Sequence, residues 1–495
     1  MKRLLFCLII ACLWGNIAIS ATTVPHIMAY DLRVAQSGND YTFTFFANTQ
    51  PVSGKLLFHT ISGDSLGEYT IPQPLQYGNN TITIPASALP SSHTTIAWSL
   101  QLSAASNPQF GIIYEGEVCT RAYAAINNHP ESDYFGYIYL ANRKGVGLCH
   151  IHAFDYAYQP TFATGNDYIT FNSTGRPAID SEGYIYWPDW GDLKSGITIM
   201  NPVDYSEKQF FSGIQNDDNG VWYNSVTNTD LGSSCSGVSI YGSGKNTKLY
   251  AMNEDIGEYS QLTKKGFVIY QIGNEDGTIS RQWKTAPTQV IAVEDNNTNG
   301  NFAIVACSHG AWLCQHTLTN QAGTYALMFY DHQGKRQYAS TDATLINGSN
   351  GAGIALNREE NQLAMVNADG NILIFDITWQ GDTPTLSLRT TYNTTTFSAI
   401  GSIHFDYAGN LITTSGNNFG GSKDDLRLVI YSTPTDSNTI VVPARTSQHI
   451  QRSGTGTSHF QLLFPDESTP TKILRNGHLY ILHHGQIYTI LGFQE

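Results

Sequence analysis

Six short segments of this chain share one beat, a glycine or asparagine turn that runs straight into an aromatic or aliphatic strand. They are Phe135-Gly136-Tyr-Ile-Tyr-Leu, Glu182-Gly183-Tyr-Ile-Tyr-Trp, Asn246-Thr-Lys-Leu-Tyr-Ala, Gly300-Asn-Phe-Ala-Ile-Val, Asn361-Gln-Leu-Ala-Met-Val and Gly409-Asn-Leu-Ile-Thr-Thr. They recur roughly every 50 to 65 residues, the length of one four-stranded propeller blade with its loops. Within several periods a second strand signal follows, as in Gly196-Ile-Thr-Ile-Met, Gly266-Phe-Val-Ile-Tyr and Leu426-Arg-Leu-Val-Ile-Tyr, and turn groups such as Asp331-His-Gln-Gly334 and Asn274-Glu-Asp-Gly277 come next. The spacing predicts a six-bladed β-propeller over residues 111–445, with seven blades as the alternative, at about 55 residues a blade.

Composition agrees with an all-β chain. Only 13% of the 495 residues are charged, while Gly (45), Tyr (28) and Phe (22) are abundant. Strands and tight turns favour that mix, whereas helices favour Ala, Glu, Lys and Leu. Residues 21–110 predict a separate β-sandwich. Strand-like stretches fall at 27–34, 41–46, 55–60, 67–71, 80–84 and 95–102, separated by turns such as Ser37-Gly-Asn-Asp40 and Ser62-Gly-Asp64. Short alternating strands of this kind suit an immunoglobulin-like or fibronectin-like sandwich, with Trp98 in its core. The polar, Ser- and Thr-rich stretch 446–470 is expected to be a linker, and 471–495 a C-terminal β-hairpin.

Met1-Lys2-Arg3, the apolar run Leu4–Trp14 and the small residues before Ala21 have the form of a secretory signal peptide over residues 1–20. Ile9-Ile10-Ala11-Cys12 also resembles a lipobox, which would place a lipid on Cys12. No segment predicts a transmembrane span. The formal charge of −14 argues against nucleic-acid binding, since a phosphate backbone would be repelled. Cys119, Cys149, Cys235, Cys307 and Cys314 follow the leader, an odd number with no C-x-x-C pair, so zinc is not suggested. Cys307 and Cys314 lie in neighbouring segments of one repeat, either as a disulfide or as buried thiols.

The tail Thr471-Lys-Ile-Leu-Arg-Asn-Gly-His-Leu-Tyr-Ile-Leu-His-His-Gly-Gln-Ile-Tyr-Thr-Ile-Leu-Gly resembles the C-terminal sorting segments of proteins exported by type IX secretion. Asn127-Asn-His-Pro-Glu-Ser-Asp-Tyr-Phe-Gly-Tyr-Ile-Tyr-Leu, Phe405-Asp-Tyr-Ala-Gly-Asn-Leu411 and Leu426-Arg-Leu-Val-Ile-Tyr resemble secreted bacterial propeller proteins with NHL-like or YncE-like blades behind an Ig-like domain. The resemblance implies export to the outside or outer surface of a Gram-negative bacterium. It implies no reaction and carries over no catalytic residue.

Four patterns are candidates for chemistry. Asp295-Asn-Asn-Thr-Asn-Gly300 matches the first half of a calcium loop, with Asp295, Asn297 and Asn299 as candidate ligands, but the twelfth position is Ala306. The same residues read equally as an Asn-rich turn bonded to its own backbone. Calcium is the one cofactor the sequence suggests. Trp187-Pro-Asp189-Trp190 has the residue types of a sugar platform, a ring to stack on a sugar face and an acid to accept hydroxyl protons, or else of rings packed between blades. Ser308-His309-Gly-Ala-Trp312 sets an imidazole near a tryptophan after the fourth repeat strand. Glu254 and Asp255 form an acidic loop after the third. There is no G-x-S-x-G elbow, H-E-x-x-H motif or P-loop.

The leading expectation is an exported, non-catalytic binding protein that takes an extracellular glycan or protein on one propeller face. Trp187, Asp189, Trp190, Glu254, Asp255, His309 and Trp312 would follow equivalent strands there. A propeller polysaccharide lyase or hydrolase, calcium-dependent or not, is the enzymatic alternative, and a structural adhesion protein is the third. Nothing in the sequence sets the oligomeric state.

Overall fold

The computed structural model describes residues 23–117, 122–142, 148–152, 158–159, 175–189, 196–202, 208–213, 215–216, 222–223, 235–253, 266–281, 287–293, 302–315, 325–342, 344–346, 353–367, 369–394, 400–415, 427–452, 471–475, 478–483 and 486–489. The chain divides into two compact units, Met1–Ser91 with Ile96–Ile450, and Ser92–Thr95 with Gln451–Glu495.

The first unit opens with β1 (Ala29–Ser37), β2 (Asp40–Ala47), β3 (Pro51–His59), β4 (Ser65–Thr70), β5 (Gly78–Pro85) and β6 (Thr95–Ala104). β1, β2 and β5 form one antiparallel sheet, while β3, β4 and β6 belong to a second. The period-2 pattern sets the faces: Tyr41, Phe43 and Phe45 of β2 and Ile82 and Ile84 of β5 are all buried in one shared core. Trp98 lies at its centre, edge-on to Phe43 with centroids 4.8 Å apart, a geometry worth about 0.5–1.5 kcal/mol beyond its burial.

After β7 (Gly111–Glu117), four-stranded antiparallel sheets succeed one another. They are β8 (Ala122–Ile126), β9 (Tyr137–Asn142), β10 (Leu148–His152) and β11 (Tyr158–Gln159); then β12 (Ala178–Ile179), β13 (Ile185–Asp189), β14 (Gly196–Met200) and β15 (Lys208–Gly213). A small pair, β16 (Gln215–Asn216) and β17 (Trp222–Tyr223), precedes β18 (Val238–Tyr241), β19 (Lys248–Asn253), β20 (Gly266–Gln271) and β21 (Gln289–Ala292). Next come β22 (Phe302–Cys307), β23 (Gly310–Gln315), β24 (Leu327–Asp331) and β25 (Arg336–Ala339), and then β26 (Ile354–Leu356), β27 (Gln362–Val366), β28 (Asn371–Gln380) and β29 (Thr383–Asn393). The last sheet is β30 (Ile400–Phe405), β31 (Leu411–Ser415) and β32 (Arg427–Ser432), with β7 as its outer strand.

Each first strand lies against the next sheet's first strand: β8 on β12, β12 on β18, β18 on β22, β22 on β26, β26 on β30, and β30 back on β8. This closed ring of radial sheets is a β-propeller. Because β7 precedes β8 in the chain yet pairs with β32, the last sheet is assembled from both ends of the repeat region, which fastens the ring. Inner strands covered on both faces read as unbroken apolar runs, as in β20 (Gly-Phe-Val-Ile-Tyr, all buried) and β24 (Leu-Met-Phe-Tyr-Asp, all buried). Outer β29 alternates instead.

The recurring glycine turn has a clear cause. Asp180 accepts the amides of Glu182 and Tyr184 at 3.0 and 3.1 Å, and Asp406 accepts those of Ala408 and Asn410 at 2.9 and 2.8 Å. The chain must then turn through the left-handed region, at Gly183 (φ 91°) and Gly409 (φ 102°), before entering the strand.

β33 (Thr439–Pro443) departs from the expected boundary. It falls within the stretch 111–445 expected to be propeller, but it pairs with β6 and extends the second N-terminal sheet. Ile440, Val442, Ala444 and Ile450, the last in β34 (Ile450–Gln451), are buried in the N-terminal core, and Trp98 Nε1 donates to the Gln448 carbonyl at 2.8 Å. The first residues of the expected linker are therefore core. Between the two parts of this unit, the amides of His26, Ile27 and Met28 donate to the side-chain oxygens of Asn410, Asn438 and Asn48 at 3.0, 2.7 and 2.7 Å. Buried asparagines thus serve a segment that has no strand partner.

In the second unit, β35 (Thr471–Arg475), β36 (His478–His483) and β37 (Gln486–Thr489) make a three-stranded antiparallel sheet rather than a two-stranded hairpin. Among the described helices none is long and apolar enough to cross a membrane.

Candidate functional site: the central channel

Among the described residues the sequence candidates Trp187, Asp189, His309 and Trp312 do not come together in one site. Trp187 and Trp312 are each 0% exposed. Trp187 packs with Tyr139, Ile185 and Met200, and Trp312 packs on Phe329 with centroids 4.9 Å apart. Neither has a ring face free to stack on a sugar, because large flat side chains fill the space between neighbouring sheets. Asp189 ends β13 opposite Gly196. Trp190, Glu254, Asp255 and the calcium-loop residues Asp295, Asn297 and Asn299 lie outside the described residues.

His309 belongs to the other end of its sheet. Five of the six repeat segments form second strands (β9, β13, β19, β27 and β31), whereas Phe302-Ala-Ile-Val forms the first strand, β22. Successive antiparallel strands reverse direction, so the connection after β22 leaves from the opposite end to those after β13 and β19. His309 therefore does not follow a strand equivalent to β13 and β19. His309 itself is occupied. Its ring stacks on Trp379 with centroids 4.0 Å apart, and Nδ1 lies 3.2 Å from Asp382 Oδ1. Beside it the Ser308 hydroxyl donates to Glu360, whose carboxylate also accepts the Ser308 amide at 3.1 Å. These contacts tie turns of two adjacent sheets together.

Cys307 and Cys314 are buried thiols, not joined in a disulfide. Cys307 sits opposite Gly310 in the ladder and Cys314 opposite Ala303, so the two are about four strand positions, roughly 13 Å, apart and cannot bridge. Burial pushes both thiols up to about 12, which leaves them protonated and unreactive.

The groups that do converge are on the axis. All six first strands line a cavity of about 190 Å³. Small residues are among those that line it: Ala125, Ala178, Ser239, Ala303, Ala355 and Ser402. Serines also lace neighbouring first strands, since Ser402 Oγ accepts the Ala124 amide at 2.9 Å and Ser239 Oγ accepts the Ala306 amide at 3.0 Å. Asn128 donates through Nδ2 to the Phe405 carbonyl at 2.9 Å, and its Oδ1 is buried without a partner.

Two ionisable groups sit in this channel, Arg176 and His404. Desolvation, a bond to the Ala124 backbone and the nearby Arg176 charge leave the His404 pKa at about 4, so the imidazole is neutral at pH 7. Arg176 precedes β12 in Gly175-Arg176-Pro177, where its backbone bridges to Gly237. The residue is 7% exposed. Its guanidinium lies 5.2 Å over the Tyr123 ring, and Nη1 reaches the Ser236 carbonyl at 3.4 Å. Sequence reading missed Arg176, His404 and Asn128. The one available signal, an arginine between glycine and proline at the entry to a short strand, is unremarkable until the ring closes around it.

No protein-family model and no curated protein matches this chain. Among solved structures it is similar to a gluconolactonase from Xanthomonas campestris, at 10% identity over 67% of this chain and 89% of that one, with a TM-score of 0.37. It is also similar to a Bacteroides thetaiotaomicron protein of unknown function, at 10% identity over 81% of this chain and 100% of that one, TM-score 0.38. A third likeness is to the β-propeller domain of Cps50 (Swd1) from Myceliophteria thermophila, at 10% identity over 65% and 89%, TM-score 0.37. At these levels the likenesses assign no activity, and the propeller rests on the strand order and the closed ring.

Proposed function

We propose that this is an exported binding protein whose propeller takes a small group of an extracellular ligand into the central channel. The observation that carries the reading is the convergence of Arg176, Asn128 and His404, from separate segments of the chain, on one cavity ringed by small side chains. A concave, largely apolar site with a few polar groups is where ligands ordinarily bind. Export rests on the leader-like pattern of residues 1–20. The cavity suits a sugar ring or a peptide side group better than a length of polymer.

The test is a glycan and small-metabolite screen of the purified chain, with Ala178→Phe as the control. That substitution adds a ring at the channel wall, where Ala178 is partly exposed and also borders a buried cluster. Binding that Ala178→Phe abolishes, with the thermal midpoint unchanged, supports the reading. Binding indifferent to it moves the site off the axis. A neutral imidazole beside a cation favours one second reading, a lyase or hydrolase with His404 as base; release of product from the bound ligand would establish it.

A further inference from the structure

We infer that Arg176 anchors an oxyanion in the central channel, so that the ligand of this protein carries a carboxylate or a phosphate group. The inference rests on the channel being the ligand site, and it names the chemistry of what enters.

A guanidinium stays charged at every physiological pH, and taking one out of water is costly unless it is paired. Buried arginines therefore have partners. Arg176 departs from that rule. Nε and Nη2 are buried with no hydrogen-bond partner, and the one bond from the side chain, Nη1 to the Ser236 carbonyl, is long at 3.4 Å. Among the described residues no carboxylate lies within ion-pair distance of it. Nε and Nη2 form one edge of the guanidinium, two parallel donors whose spacing matches the two oxygens of a carboxylate or of a phosphate. The Tyr123 ring beneath the plane and the backbone bridge at Gly237 hold the group in place, so little freedom is lost when an anion docks.

The surroundings fit the same ligand. The chain as a whole carries a charge of −14, so a buried cation on its axis is a local feature and not part of a basic surface. His404 adds a ring nitrogen in the same channel. The unpartnered Asn128 Oδ1 is an acceptor that a hydroxyl of the ligand would satisfy. A hydroxylated acid, such as a sugar acid or a sugar phosphate, would meet both unsatisfied groups.

The experiment is calorimetric titration of the full chain with sodium glucuronate, inorganic phosphate and neutral glucose, repeated on Arg176→Met and Arg176→Lys, with a thermal melt of each variant. The expected result is binding of at least one anion, weaker by about 30-fold or more in Arg176→Met. Arg176→Lys should be intermediate, because it keeps the charge and loses the fork. Glucuronate preferred over phosphate identifies a carboxylate ligand, and the reverse a phosphate. Without ligand, Arg176→Met should melt at or above the wild-type temperature, since it removes an unpaired buried charge. A clear fall in that melting temperature would show that Arg176 has a structural partner and would overturn the inference. So would anion binding that survives Arg176→Met, or no anion binding at all. If a neutral ligand binds, is blocked by Ala178→Phe and ignores Arg176, the channel stands as the site and the anion assignment alone falls.

Discussion

Arg281→Met should be among the most damaging single changes in the propeller, and its size follows from one carboxylate. Asp180 is 0% exposed, yet Arg281 satisfies its Oδ2 twice, from Nε at 2.9 Å and Nη2 at 2.7 Å. The Tyr186 hydroxyl adds a bond at 3.2 Å, while the Tyr184 ring stacks 3.7 Å from the guanidinium. Removing the arginine strands a charge in the interior, which costs about 3–5 kcal/mol. With an unfolding entropy near 2.1 cal/mol/K per residue, a unit of this size should lose roughly 3–5 °C in Tm. The assay is urea and thermal unfolding of wild type, Arg281→Met and Arg281→Met/Asp180→Asn. The double variant should recover most of the loss, because an amide can keep the two turn bonds without a charge. The loss should also depend on pH. Burial already raises the Asp180 pKa despite Arg281, and without Arg281 it must rise further. A group whose folded pKa lies above its unfolded value stabilises at low pH and stops doing so as pH rises through the folded pKa. The variant's deficit should therefore be smaller at pH 5 than at pH 8. A deficit under about 1 kcal/mol, or a double variant no better than the single one, would refute the argument, since a buried charge left unpaired should cost more than that.

Two further outcomes test the fold and the channel. Ile440→Ala should cost about 2–5 kcal/mol, the usual loss for truncating a buried isoleucine, because Ile440 is 5% exposed in the N-terminal core; a change within ~0.5 kcal/mol in urea unfolding would mean that β33 is not part of that core. Wild-type stability should fall as pH drops from about 6.5 to about 4, since the unfolded chain takes up a proton that His404, with its folded pKa of about 4, refuses. That contribution is at most about 3 kcal/mol. His404→Gln should flatten this slope in unfolding curves taken across the range, and an unchanged slope would place the titration elsewhere.

Much of the architecture was legible because its cause is local. Alternation in Tyr41-Thr-Phe-Thr-Phe and Asn80-Thr-Ile-Thr-Ile gave strands at the right places, since side chains on a strand point to opposite faces whatever the strand pairs with. The glycine turns marked strand entries because Asp180 and Asp406 bond to backbone only two and four residues on. The candidate site was hardly legible. Trp187 and Trp312 look alike in sequence whether they stack on a sugar or fill the gap between two sheets, and only the neighbouring sheet decides. His309 was misplaced because a strand motif does not say whether its strand is first or second in its sheet.

Local pattern is enough to specify short antiparallel strands in repeated groups, because turn chemistry and period-2 patterning act over a few residues. The tertiary structure alone decided that β7 completes the last sheet and β33 the first domain. Those pairings join residues hundreds of positions apart, and any exposed strand edge of matching pattern would have served as well. It alone decided, too, that an ordinary arginine before β12 stands unpaired on the axis. Charge burial is a property of the closed ring, fixed when the sheets meet around a residue that no local pattern distinguishes.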